Sequence, residues 1–169
     1  MTRSESARAT TAAEGRFRID AANSQPRAVK VIALDPASER VVKRIAQGAW
    51  SRATFLTSVE SAPSGDTAWS MTAWLADLAG RAKNLVDEID SADLVVMVAA
   101  AGGSPQAASV IGEAAGLKNV MTTALIVDAK AQPDEALSRT LACLRPHAAM
   151  LVVADGEDYI EAMLSALRA

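Results

Sequence analysis

The chain has 169 residues, half of them hydrophobic and only 4% aromatic, with 17 basic and 20 acidic side chains and a net charge of −3. That length fits one domain plus a tail, and it can bury a core without help from disulfides or metals. The acidic balance excludes the basic face of a nucleic-acid binder, no apolar run reaches the roughly 20 residues of a membrane span, and one cysteine excludes an intrachain disulfide.

Residues 1–27 are rich in Ser, Ala, Thr and Arg, show no sustained period, and read as a mobile or loosely docked tail. The first 28 residues carry five arginines against three acids (+2), and the remainder twelve bases against seventeen acids (−5). Glu5, Glu14 and Asp20 argue against a transit peptide, and the apolar stretch of a signal peptide is missing, so the expected setting is the cytoplasm. Phe17 and Ile19 alternate with arginines in R-F-R-I-D and could add a short strand or docking segment.

Residues 28–169 read as one α/β domain. Ala28–Leu34 is the first expected strand, and Pro36 opens a helix to about Gln47. Ala53–Val59 is the second strand. A loop rich in Ser, Pro and Gly follows. Met71–Ile89 then reads as a long helix with Trp74, Leu75, Leu78, Ala82, Leu85, Val86 and Ile89 on one stripe. Leu94–Ala99 is apolar without alternation, as suits a strand buried on both faces. Val120–Val127 and Ala149–Ala154 repeat that pattern, with helices expected over Asp134–Leu144 and Glu157–Leu167. Five strands, each followed by a helix, predict a three-layer, Rossmann-like sandwich. Its sheet would be open, parallel and five-stranded, in the order 2-1-3-4-5, with helices on both faces.

In that order the switch point lies between the first and third strands. Asp35 and the loop Ala101–Gly102–Gly103–Ser104–Pro105 would meet there. The glycines permit turn dihedrals, Ser104 can cap, and Pro105 suits the first helical position of a helix ending before Gly116. Such a strand-to-helix turn points N–H groups and a positive helix end at an anion. The candidate ligand-binding residues are therefore Asp35, Ala101, Gly102, Gly103 and Ser104. No Gly-Lys-Ser/Thr follows, so the loop is no P-loop, and A-L-D-P-A-S after the first strand holds no dinucleotide-binding glycine fingerprint.

Other constellations are thin. Asp35, Asp128 and Asp155 end strands and could gather round Mg²⁺, but capping is the simpler role. A phospho-receiver needs an aspartate where the third strand ends in Val98-Ala99-Ala100. One histidine, His147, and one cysteine, Cys143, make no zinc site. Cys143 stands at an apolar helical spacing and is expected in the core, and His147 follows Pro146 in a loop and is a poor catalytic base.

Residues 81–103 (R-A-K-N-L-V-D-E-I-D-S-A-D-L-V-V-M-V-A-A-A-G-G), followed by A-A-S-V-I-G-E at 107–113 and A-L-I-V-D-A at 124–129, resemble the nucleotide domain of the FtsZ/tubulin superfamily. The resemblance covers about half the chain. It implies a long helix, a buried strand, a glycine-rich loop round the phosphates of GTP and a small-residue helix, in this order. The family's GGGTGTG-type run is reduced here to Gly102-Gly103-Ser104-Pro105-Gln106, and Leu34-Asp35-Pro36 replaces the glycines after its first strand. No counterpart of its second domain follows in these residues. The resemblance therefore implies neither GTP hydrolysis nor filaments, only nucleotide binding resting on Gly102, Gly103 and Ser104.

Three function classes stand. The first is a module binding a nucleotide or other phosphorylated ligand, with or without Mg²⁺, without turnover. The second is a non-enzymatic interaction protein with a vestigial site, docking through residues 69–78 or the tail, for instance as a homodimer. The third is a small enzyme with Asp35 or Asp128 as acid–base.

Overall fold

The computed structural model describes residues 9–10, 25–58 and 74–169. Its strands are β1 (Ala9–Thr10), β2 (Val29–Ala33), β3 (Ala53–Thr57), β4 (Trp74–Asp77), β5 (Ala82–Asn84), β6 (Leu94–Ala100), β7 (Met121–Val127) and β8 (Met150–Ala154). The helices are α1 (Pro36–Ile45), α2 (Leu85–Asp90), α3 (Ala108–Leu117), α4 (Asp134–Leu144) and α5 (Glu157–Ala166). All eight strands form one sheet in the order β1-β8-β7-β6-β2-β3-β4-β5.

The α/β class follows from the apolar runs. Every residue of β2 and β6 is buried, so both faces of these strands must be covered. Alternate residues supply the two faces. Ile32, Val95, Met97, Ala99, Ala124 and Ile126 pack with α2, α3 and α4. Val31, Ala33, Val96, Val98, Leu125 and Val127 pack with α1 and α5 on the other side. The pairings β3–β2, β2–β6, β6–β7 and β7–β8 are parallel, with Val29 beside Leu94 and Leu94 beside Met121.

The expectation of an open, wholly parallel five-stranded sheet is corrected. The sheet is mixed, because β4 pairs antiparallel with both β3 and β5. This hairpin replaces most of the long helix expected over residues 71–89. Only Leu85–Asp90 is helical, so the long helix implied by the family resemblance is six residues here. Local turn chemistry decides the matter. Gly80 takes φ 80°, a left-handed conformation that glycine adopts at little cost. The Asp77 carboxylate accepts the N–H groups of Ala79 at 3.0 Å and Arg81 at 2.9 Å and pairs with Arg81 Nε at 2.6 Å. Leu75 and Ala76 are adjacent and both buried, which two faces of a strand allow. At the other edge, β1 pairs parallel with β8. Phe17, Ile19 and Trp69 lie outside the described residues, as does most of the expected tail.

The Asp77 turn carries a pH signature. Its carboxyl is held below the ordinary aspartate range, chiefly by the bond from the Arg81 N–H, with the Arg81 side chain, the Ala79 N–H and the Arg81 charge adding. A depressed folded pKa adds stability that is present above the unfolded value of about 3.9 and is lost as pH falls through the folded value. We expect Asp77→Asn to lose stability at neutral pH and to flatten the fall in melting temperature on acidification. Parallel acid-side slopes for the two proteins would show that the turn carries no such linkage.

Among the described residues, no helix is long and apolar enough to cross a membrane.

Candidate functional site

Parallel strands deliver their carboxyl ends to one rim of the sheet, and there a cleft of about 690 Å³ opens. Its walls are Leu34–Ala37 and Arg40 at the start of α1, Ser58 after β3, the loop from Ala100 to Ala107, and Asp128 to Gln132 after β7. Asp35, Ala101, Gly102, Gly103 and Ser104 all line it, as does Asp128. The volume lies within the roughly 300–1,000 Å³ of ordinary ligand pockets.

Asp35 joins the two sides of the switch point. It is buried, 4% exposed. One carboxylate oxygen accepts the N–H groups of Ala37 at 3.1 Å and Ser38 at 2.8 Å, closing a capping box on α1. The other accepts the Ala100 N–H at 2.9 Å, across the crevice at the end of β6. Gly103 lies against this carboxylate, and a Cβ there would stand 2.6 Å from Asp35 Oδ2 and 2.9 Å from the Ala100 carbonyl oxygen. Any side chain at 103 therefore meets fixed atoms.

The glycine loop is internally bonded. Ala101 N–H donates to the Val127 carbonyl at 2.9 Å, and Gly103 N–H to the Ala100 carbonyl at 2.9 Å. Gly102, at φ 79°, donates to Thr140 Oγ1 at 3.0 Å, which ties the loop to α4. Three amides that a phosphate loop would turn outward are thus engaged.

The helix beyond starts later than expected. Ser104 does not cap it, and Pro105 is not its first residue. The turn runs on through Gln106–Ala107, and α3 begins at Ala108 with Ala107 as an N-cap that makes no side-chain bond. Burial sets this start, because Ala107 and Ala108 both pack in the core, whereas Ser104 remains exposed. Gly116 does not stop the helix either. It continues to Leu117, and Asn119 takes the left-handed position at φ 55°.

The three strand-end aspartates do not converge. Asp35 is committed to backbone amides. Asp128 sits at φ 57°, exposed on the cleft. Asp155 pairs with Lys130 and does not line the cleft, and its Oδ1 is buried with no partner. Among the described residues, no three His, Cys, Asp or Glu side chains come together as a metal site.

Arg40, Ser58, Gln106 and Gln132 line the cleft and were not legible as site residues. Arg40 is exposed and, among the described residues, makes no ion pair. Its position one turn into α1 was a signal, but only once the rotation of that helix is known. Cys143 departs from expectation by being exposed. The buried stripe of α4 is Ala136, Leu137, Thr140, Leu141 and Leu144, and position 143 falls off it. His147 ends the short turn Arg145–His147 after α4.

No protein-family model matches the chain, and no curated protein is significantly similar to it.

Proposed function

We propose that the cleft binds a nucleotide or another small phosphorylated ligand without turning it over. The observation that carries this reading is the contrast between the two helices that open on the cleft. The amino end of α1 is closed by Asp35, whereas that of the ten-residue α3 has no side-chain cap. First-turn N–H groups lacking intrahelical partners attract an anion. Arg40, on the opposite wall, is the cation placed to meet the same phosphate. The resemblance to a nucleotide domain favours a nucleoside phosphate over a simple sugar phosphate, and a Rossmann-like layout would put it at the switch point. The loop itself then acts as a scaffold, since its amides are engaged.

Catalysis by Asp35 has less support, because both its oxygens already accept backbone N–H groups. Asp128 is free to reach a ligand but has no base or nucleophile beside it on the page.

The test is a thermal-shift screen against nucleotides, dinucleotides and inorganic phosphate, with and without Mg²⁺. A ligand at about 100 times its Kd adds roughly 2.7 kcal/mol of stability. We expect a nucleoside di- or triphosphate to raise the melting temperature and Arg40→Ala to remove most of that rise. No shift from any of them, at concentrations up to millimolar, would sink the reading.

A further inference from the structure

A second cleft, of about 600 Å³, lies on the other side of the glycine loop. It shares Gly102, Gly103, Ser104 and Gln106 with the first, but its far wall is Arg139, Ala142, Cys143, Pro146 and His147. Residues 139 and 143 stand one turn apart on α4, and the Arg145–His147 turn carries the same wall onward. Facing them are Ser109 and the uncapped start of α3. The wall is held close to α3, because a Cβ on Gly112 would lie 2.7 Å from the His147 Cβ, and the His147 carbonyl accepts the Thr122 hydroxyl at 3.0 Å.

We propose that Cys143 is a covalent modification site, and that this cleft receives a small disulfide carrying carboxylates. The thiol is exposed and stands with an arginine, an imidazole and a positive helix end in one concavity. Reactive cysteines are found in partly exposed surroundings of this electropositive kind. The carboxyl end of α4 opposes negative charge at position 143. The attraction must therefore come from the groups around the cleft. Arg139 is exposed and makes no ion pair among the described residues, so it is available to a ligand carboxylate. The chemistry is thiol–disulfide exchange. The Cys143 proton goes to water, and the thiolate attacks one sulfur of the small disulfide. A Cys143–sulfur bond forms, the original S–S bond breaks, and the other half leaves as a thiolate. Cys143 is oxidised and the small disulfide is reduced by the same two electrons. The proposal stands apart from phosphate binding in the first cleft and holds whether or not that reading does.

Because the chain has one cysteine, every mixed disulfide reports on Cys143. The experiment follows adduct formation by intact-protein mass spectrometry with two probes, glutathione disulfide (anionic) and bis(2-hydroxyethyl) disulfide (neutral). Rates are divided by those of the urea-unfolded chain, which removes the intrinsic difference between the probes. In the folded protein we expect the anionic probe to be favoured by about fivefold, the range of one partly exposed charge pair. Arg139→Gln and His147→Gln should each lower that preference, with Arg139→Gln the larger effect. Both side chains are outside the core, so the variants should fold as the parent does. The proposal is overturned if glutathione disulfide gives no adduct, or if the folded chain shows no preference for it. It is equally overturned if neither substitution changes the preference.

Discussion

Asp35→Ala is expected to lower the unfolding free energy by about 2–4 kcal/mol and the melting temperature by of the order of 10 °C. The magnitude has two sources. Loss of an N-cap costs about 1 kcal/mol, within a range of roughly 0.5–2. Loss of the only acceptor for the Ala100 N–H, in a buried setting, costs about 1–3 kcal/mol more. In a domain of this size 1 kcal/mol corresponds to about 2–4 °C. Asp35→Asn should cost about half as much, since one amide oxygen still caps α1 while its NH₂ group then faces the Ala100 N–H. Gly103→Ala attacks the same contact from the other side, through a Cβ 2.6 Å from Asp35 Oδ2. The two changes should therefore be less than additive, because removing the carboxylate removes one of the atoms the new methyl meets. Urea titrations of the parent, both single variants and the double variant measure this. Additive costs would mean that Asp35 and Gly103 are independent, and a thermally unchanged Asp35→Ala protein would mean that the carboxylate is free for ligand chemistry after all.

The same residues show why parts of the site were legible in the sequence. Two glycines directly after a run that allows no solvent-facing residue can only be a tight turn at a strand end. An aspartate followed by proline can only be a helix entry. The parallel alternation of strand and helix then places the two turns side by side. The limits were equally physical. Trp74, Leu75 and Leu78 mimic a helical stripe, and only the Asp77–Gly80–Arg81 turn reverses the chain into a hairpin. Cap chemistry suggested that α3 starts at Ser104, but burial of Ala107 and Ala108 outweighs an ordinary cap. Arg40 and Cys143 belong to their clefts because of helix rotation. Rotation is fixed by which neighbours are buried, which a single apolar periodicity determines only to within a residue or so. Position 143 lies one residue before the buried Leu144, and that one step moves a thiol from the core to the solvent.

The second large effect lies away from the cleft, in the one charge the core retains. Lys30 stands in the middle of β2, between Thr54 of β3 and Val95 of β6. Its ammonium lies 2.8 Å from Glu88 Oε2 on α2 and 3.4 Å from Thr54 Oγ1, and the Lys30 and Glu88 side chains are 11% and 17% exposed. α2 has six residues, too few to be stable alone, and holds to the sheet through Leu85, Ile89 and this pair, with Asn84 capping it by a 2.9 Å bond to the Val86 N–H. Removing one partner strands the other in a poorly solvated place, and breaking such a pair typically costs about 3–5 kcal/mol. Glu88→Ala should fall near the lower end, about 3 kcal/mol, since residual exposure lets water reach the ammonium. Replacing both partners by apolar residues of similar volume, Lys30→Met with Glu88→Leu, should recover most of the loss, because the desolvation cost disappears with the charges. Salt separates this pair from surface pairs such as Lys118–Asp90, whose contribution screening reduces. The Glu88→Ala cost should be nearly the same in low and high salt. A cost below about 0.5 kcal/mol in urea titrations, or one that salt abolishes, would place the pair in effect at the surface and leave α2 held by Leu85 and Ile89 alone.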